Sequence, residues 1–456
     1  MVGGDVSDFI VNCLNTRTFP ANLNDTDIVL IPKKKNPELV SDLRPIALSN
    51  VIYMIMAKVI SARMKPLMNE IISDTQSALI PDRLIIYNIL VAAEVGHFLN
   101  RKQCGMTGWG ALKLDMAKTY DRLSLLLQQA HSQGTIHGCR VARGAPPISH
   151  LFFADDSLLF FKANIQEADV IKQCLAQYEK LSGQVVNYHK SSICYSKNMR
   201  DEDMNDVAHV LGVAQAPNYG KYLGLPSFIG RNKKAAFSYI EDRIRHKIVS
   251  WNKKLLSQAA IERTMNRYWW GSGNDRRIYW KAWDKMCIPK KHGGLGFKEL
   301  HAFSLAMLGK QAWRLLTTPE SLVSKVYKAR YYPKGTFYDA CIGNNPSFCW
   351  HSIMEAHDMD QHDPKIHTEK PMHLSNATVK GLIDPDTSTW DPDILTDIFD
   401  PIDIPRILKI PVSPDYDDMW YWHGDQRGNY TVKNGYRAIV GDYDHTTSNF
   451  DNWLSL

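Results

Sequence analysis

The chain has 456 residues, 44% of them apolar, and a formal net charge of +6. That length allows two or three domains with cores of their own. The sequence lacks any run of about 18 apolar residues, which excludes a hydrophobic spanning helix and any expected membrane partner, and its opening, MVGGDVSDFIVNCLN, lacks the basic-then-apolar order of a secretory leader.

Charge and cysteine content narrow the class further. Residues 351–456 hold 8 basic and 19 acidic side chains, while the remainder holds 46 and 29, a net of +17. A basic body with an acidic tail points to a polyanion partner, although a solvated basic surface gives the same count. The eight cysteines form no CxxC pair and no Cys/His cluster with zinc spacing. Reduced thiols in an intracellular compartment, nuclear or cytoplasmic, are therefore expected.

Periodicity predicts the elements in order. Residues 27–32 (DIVLIP) read as a strand, followed by a charged turn at 33–38. Apolar steps over 50–72 predict a buried helix kinked at Pro66, and a second helix follows over 84–100. WGALKLDM (109–116) alternates and predicts a strand ending at Asp115. Residues 122–134 read as a short helix closed by Gly134. A hairpin lies around Asp155, and helices are predicted over 165–181 and 234–256, the latter basic on its other face. Helical pattern continues towards 299–316, and after about 355 Pro and Asp become dense, as in a linker. WYWHGDQRGNYTVKNGYRAI then predicts a hairpin and a helix start.

The hairpin ISHLFFADDSLLFFK (148–162) sets Asp155 and Asp156 between two apolar runs. Asp is a good turn residue, so a plain turn explains the pair. Carboxylates raised on a strand turn also suit Mg²⁺. A third acid, Asp115, ends the strand ALKLD and joins them if the two strands pair. Such a trio, without a basic or nucleophilic partner, fits two-metal phosphoryl transfer.

Seven blocks stand in order along the chain. They are TDIVLIPKKKNPELVSDLRPIALSNVIY, DTQSALIPDRLIIYNIL, ALKLDMAKTYDR, FADD, SGQVVNYHKS, KYLGLP and DMWYWHGDQRGNYTVKNGYRA. The set resembles the reverse transcriptases of plant non-LTR retrotransposons, the LINE-type elements, ending in the start of a reverse-transcriptase zinc-binding domain. The resemblance implies an α+β fold with right-hand polymerase-like fingers and palm, a mostly helical region after it and a truncated C-terminal module. It implies RNA-directed DNA polymerase chemistry on an RNA template, a DNA primer and dNTPs with Mg²⁺ or Mn²⁺. Asp115 and Asp155 would be the main metal ligands, with Asp156 assisting. Tyr120 would pack under the incoming sugar, Arg44 and Arg83 would meet the triphosphate, and Lys190 would stand near the leaving group as a proton donor. Tyr222, Leu223 and Gly224 would hold the primer end, and the basic helix over 234–256 would follow the duplex backbone.

The sequence departs from this family in several places. Asp82 stands where the family has Gly, and Tyr87 where it has Asp. Only 40 positions separate Asp115 from Asp155, and the palm block with Gln-Gly that floors the nucleotide site is missing, with a join near Ser124–Leu125. A second join falls near Ala259–Ala260, and the chain stops before zinc-ligating Cys and His residues, so no zinc site is expected. The implied organisation is 1–108 fingers-like, 109–232 palm, 233–354 helical thumb or connection, 355–415 acidic linker and 416–456 truncated zinc-binding-like domain. Positioning supplies much of the catalysis in phosphoryl transfer, so the expectation is an internally deleted copy with little or no activity. A non-enzymatic nucleic-acid-binding protein derived from a reverse transcriptase is the alternative.

Overall fold

The computed structural model describes residues 2–78, 80–116, 121–226, 280–357, 379–410 and 427–441, with short pieces between 261 and 270, 367 and 374, and 412 and 425. The basic helix expected over 234–256 and the second join near 259–260 lie outside the described residues.

The N-terminal part is thinly packed. Helix α1 (Val2–Thr16) precedes an antiparallel pair, β1 (Thr26–Pro32) and β2 (Leu43–Ser49), in which Thr26 faces Ser49 and Pro32 faces Leu43. The charged turn KKKNPE lies between them, with Lys34 Nζ 2.9 Å from Asp42. Ile28, Val29, Leu30 and Ile31 of β1 are all exposed, as are Ile46 and Leu48 of β2. The predicted helix follows as α2 (Val51–Ile71), and it continues past Pro66. Asn50 caps it, its side chain accepting from the Ile52 amide at 2.9 Å. Met56 of α2 is buried against Ile10, Cys13 and Leu23, but Tyr53, Met54, Ile60, Met64 and Leu67 are exposed.

The main core begins at α3 (Ile85–Arg101) and β3 (Trp109–Asp115). After β3 come α4 (Asp121–Ser132), β4 (His150–Phe153), β5 (Asp156–Lys162), α5 (Ile165–Ser182), β6 (Ser192–Tyr195), α6 (Asp201–Leu211) and β7 (Ala214–Gln215). The strands form one sheet in the order β4-β5-β3-β6-β7. β3 is antiparallel to both β5 and β6, and β6 is parallel to β7.

Alternation along extended backbone gives this sheet two apolar faces. Leu112, Leu114, Leu159, Phe161 and Ile193 pack on one side with buried residues of α4, α5 and α6. Ala111, Leu158, Phe160 and Cys194 pack on the other with Leu90, Val91 and Val95 of α3. Helix α4 runs unbroken through the expected join at Ser124–Leu125. Leu123, Leu127 and Ala130 are buried, and Ser124 meets His150 Nε2 at 2.7 Å. His150 is also bonded to Thr75 and Ser149, and burial pushes its imidazole down to about 3. It is therefore neutral at physiological pH and serves as a buried hydrogen-bonding post between α4 and β4.

The C-terminal helices share this core. Helices α7 (Leu300–Thr317), α8 (Leu322–Tyr331) and α9 (Phe348–His357) bury Leu315, Val326, Tyr327, Trp350 and Ile353 in the same cluster as α3. The last described helix, α10 (Val432–Val440), packs along α7, where the Tyr430 hydroxyl donates to the Ala306 carbonyl at 2.9 Å. The seam between α3 and α8 carries a buried charge. Glu94 is fully buried, paired with Arg330 at 3.0 Å and bonded to the Tyr331 and Ser347 hydroxyls. Removing one partner from such a pair strands the other charge, at a cost of about 3–5 kcal/mol. Arg330→Met is expected to destabilise the chain by that amount in urea unfolding. Glu94→Gln combined with Arg330→Met should cost clearly less, because no bare charge is left.

Candidate active site

Strand pairing brings the three acids to one end of the sheet. Asp115, the last residue of β3, lies directly opposite Asp156, the first of β5. Directly opposed residues share a face and stand side by side. Phe153 pairs with Asp156, so β4 and β5 are joined by a two-residue turn, Ala154–Asp155. Ala154 has φ 54, the left-handed region that is strained for a side chain and favoured in tight hairpin turns. Such strain is often stored at functional sites. Asp115 and Asp155 are exposed and Asp156 is half-buried.

The carboxylates feel one another. Burial raises the Asp156 carboxyl above its usual range, Lys113 opposes this, and Asp155 and Asp115 raise it further. The loop after α5 is strapped to the end of β3: the Asn187 amide donates to the Asp115 carbonyl at 3.0 Å, and the Asp115 amide donates to Ser191 Oγ at 3.1 Å. This loop carries Lys190, whose Nζ lies 4.0 Å from Asp115 Oδ2. Both side chains are largely exposed, so the pair adds little stability. What it does is set an ammonium group beside the acids.

Beyond β7 comes a small ribbon, β8 (Lys221–Tyr222) and β9 (Leu225–Pro226), closed by Leu223 and Gly224. Both turn residues have positive φ, 50 and 83, as a two-residue hairpin turn requires. Tyr222 is buried, with its hydroxyl 3.4 Å from both Asn88 Nδ2 and the Leu151 carbonyl, and burial pushes that hydroxyl well above its ordinary range.

Arg44 stands exposed in β2, across from Ile31. Arg83 donates to the carbonyls of Asn69, Ile72, Ser73 and Gln76 and lies 3.5 Å from Asp74. Where the resemblance sends Arg83 to a triphosphate, its guanidinium here ties the end of α2 to the following loop. Neighbouring Asp82 has φ 61, which explains why glycine suits that position and why Asp, tolerant of this region, can replace it. Tyr120 lies outside the described residues. Sequence reasoning overlooked Lys113, although the alternation in LKLD already puts it on the face of Asp115. Its Nζ donates to the Lys221 carbonyl at 2.5 Å.

Carboxylate type and neighbourhood suit a divalent cation, whose charge would relieve the mutual repulsion at Asp156. Among the described residues, no three His, Cys, Asp or Glu side chains close into a ready-made metal site. All eight cysteines are unpaired. No described helix is long and apolar enough to cross a membrane.

No family model matches the chain. It is 38% identical over 108 residues, 23% of its length, to an uncharacterized mitochondrial protein of Arabidopsis thaliana, AtMg00310, and it covers 70% of that protein. It is 30% identical over 122 residues to the transposon TX1 uncharacterized 149 kDa protein of Xenopus laevis, spanning 27% of this chain and 9% of that one. A protein of Arabidopsis thaliana named for ribonuclease H is 25% identical over 138 residues, spanning 24% of this chain and 22% of its own length. One of these relatives is named for a transposon, and the chain belongs to the family of the Arabidopsis mitochondrial protein AtMg00310.

The raised Asp156 carboxyl has a consequence for stability. The folded chain holds this proton at a pH where the unfolded chain has lost it, so stability falls as pH rises from the ordinary carboxylate range through the higher folded value. Asp156→Asn is expected to melt at a higher temperature than the native chain at pH 7. The difference should vanish below the ordinary carboxylate range, as followed by thermal denaturation at several pH values.

Proposed function

We propose that the chain descends from the reverse transcriptase of a non-LTR retrotransposon, with an α+β polymerase-like palm whose polymerase activity is weak or lost. The observation that carries this reading is the register that sets Asp115 opposite Asp156, with Asp155 on the adjoining turn and Lys190 beside Asp115. The names of two relatives, one for a transposon and one for ribonuclease H, support the same descent.

In this reading Asp115, Asp155 and Asp156 would hold Mg²⁺ or Mn²⁺, which when bound supplies activation of a primer 3′-hydroxyl and neutralises charge on the transferred phosphate. Lys190 would give a proton to the departing pyrophosphate. The Leu223–Gly224 turn, seated by buried Tyr222, would carry the primer end near the carboxylates. RNA template, DNA primer and dNTPs are the corresponding partners.

Two observations favour weak activity. Arg83 is engaged by four backbone carbonyls and so is withheld from a triphosphate. The exposed apolar side chains of β1, β2 and α2 fit the loss of a covering segment. The alternative, a nucleic-acid-binding protein without catalysis, draws on the net +17 of residues 1–350.

Primer extension separates these readings. With an RNA template, a DNA primer, dNTPs and Mg²⁺ or Mn²⁺, the purified chain is expected to extend no more primer than Asp155→Ala/Asp156→Ala, while binding the duplex with an affinity that falls steeply with salt. Extension abolished by the double substitution would overturn the loss of activity and leave the descent standing. Failure to bind either nucleic acid at low salt would overturn both the descent-based function and its alternative.

A further inference from the structure

The β8–β9 ribbon is separate from the main sheet and has only four paired residues. A ribbon of that size is not stable by itself, so its place is set by what holds it. Three anchors are visible. The Tyr219 hydroxyl donates to the Ala92 carbonyl of α3 at 2.5 Å. Tyr222 is buried between Asn88 of α3 and the Leu151 carbonyl of β4. The third anchor is Lys113, whose Nζ reaches the Lys221 carbonyl.

Lys113 differs from the other two in where it comes from. It belongs to β3, two residues before Asp115, and the period of the strand places both on the same face. Leu158 lies opposite Lys113 and Asp156 opposite Asp115, which fixes the lysine in the row that ends at the acids. Its backbone is pinned on both sides by β5 and β6, so only the side chain is free to choose a partner. A charged donor to a carbonyl makes one of the stronger hydrogen bonds. One strand therefore fixes both the acid at its end and the ribbon beside it.

We propose that Lys113 is a positioning residue: from β3 it holds the Lys221 carbonyl and so keeps the Leu223–Gly224 turn beside the carboxylates. This rests on the reading of that turn as the holder of a primer end. The lysine itself touches neither primer nor nucleotide in this role. It converts the rigid register of the sheet into a fixed distance between the turn and Asp115.

The test is hydrogen–deuterium exchange on the full chain, read at the peptide covering residues 219–226, together with binding of an RNA-template/DNA-primer duplex measured by fluorescence anisotropy. Lys113→Met keeps the length of the side chain and removes its charge and donors. It should speed exchange in 219–226 by about tenfold or more, the factor expected from losing a charged hydrogen bond. Protection of β3 and β5 should not change, and the duplex should bind several-fold more weakly. Lys113→Arg should restore both. If Lys113→Met does not fold, Lys113→Gln is read in the same way. Native-like exchange in 219–226 would overturn the proposal. Faster exchange with unchanged duplex binding would keep Lys113 as the anchor and overturn the primer-holding reading of the turn.

Discussion

The antiparallel register of β3 on β5 is the constraint from which the rest of the molecule follows. Both strands are buried on two faces, and a slip of one residue would exchange those faces. The slip would drive Leu112 and Leu114 into the space of Ala111 and Lys113, and Asp115 would lose its position opposite Asp156. The cost of misplacing so much apolar surface holds the acids together, although as like charges they repel. The Asp156 carboxyl is raised chiefly by burial, with a smaller contribution from Asp155 and Asp115. The core thus offsets an unfavourable electrostatic arrangement at one end of the sheet's interior strands.

The same core is continuous along α4. Leu123, Leu127 and Ala130 recur at steps of four and three, so α4 presents a continuous apolar stripe across the expected join. Ser124 satisfies buried His150 there, and the helix closes over the sheet. The N-terminal hairpin is packed differently. The hairpin of β1 and β2 keeps its pairing, yet its apolar side chains on both faces meet solvent. Among the described residues the sheet is the densely packed part, and the N-terminal hairpin and α2 are the thinly packed part.

A second consequence concerns how the C-terminal helices attach. The organisation implied by the resemblance separates residues 233–354 from residues 109–232. In the structure α8 and α9 fill the core on the far side of α3, and the buried Glu94–Arg330 pair crosses that seam. The desolvation cost of such a buried pair offsets much of its attraction, so its net contribution to stability is small. Stacking of Tyr331 on Trp350, with ring centroids 4.4 Å apart, closes the same seam from the other side.

By itself the sequence determined the elements whose period is strong, namely β3, α3, α5 and the hairpin around Asp155, because alternation and helical spacing are local properties of the chain. It also singled out the three acids, Lys190 and the Tyr222–Gly224 turn. It did not disclose β6, four residues long, nor α8 and α9, whose sequences carry no strong stripe and whose apolar residues gain meaning only against α3. Pairing alone decided that Asp115 faces Asp156, that Lys113 holds the Lys221 carbonyl and that Arg83 is taken up by the loop after α2. These are contacts between residues up to 108 positions apart. Local pattern cannot encode them, because a side chain's partner is fixed by which strands and helices pack together, and that choice belongs to the core as a whole.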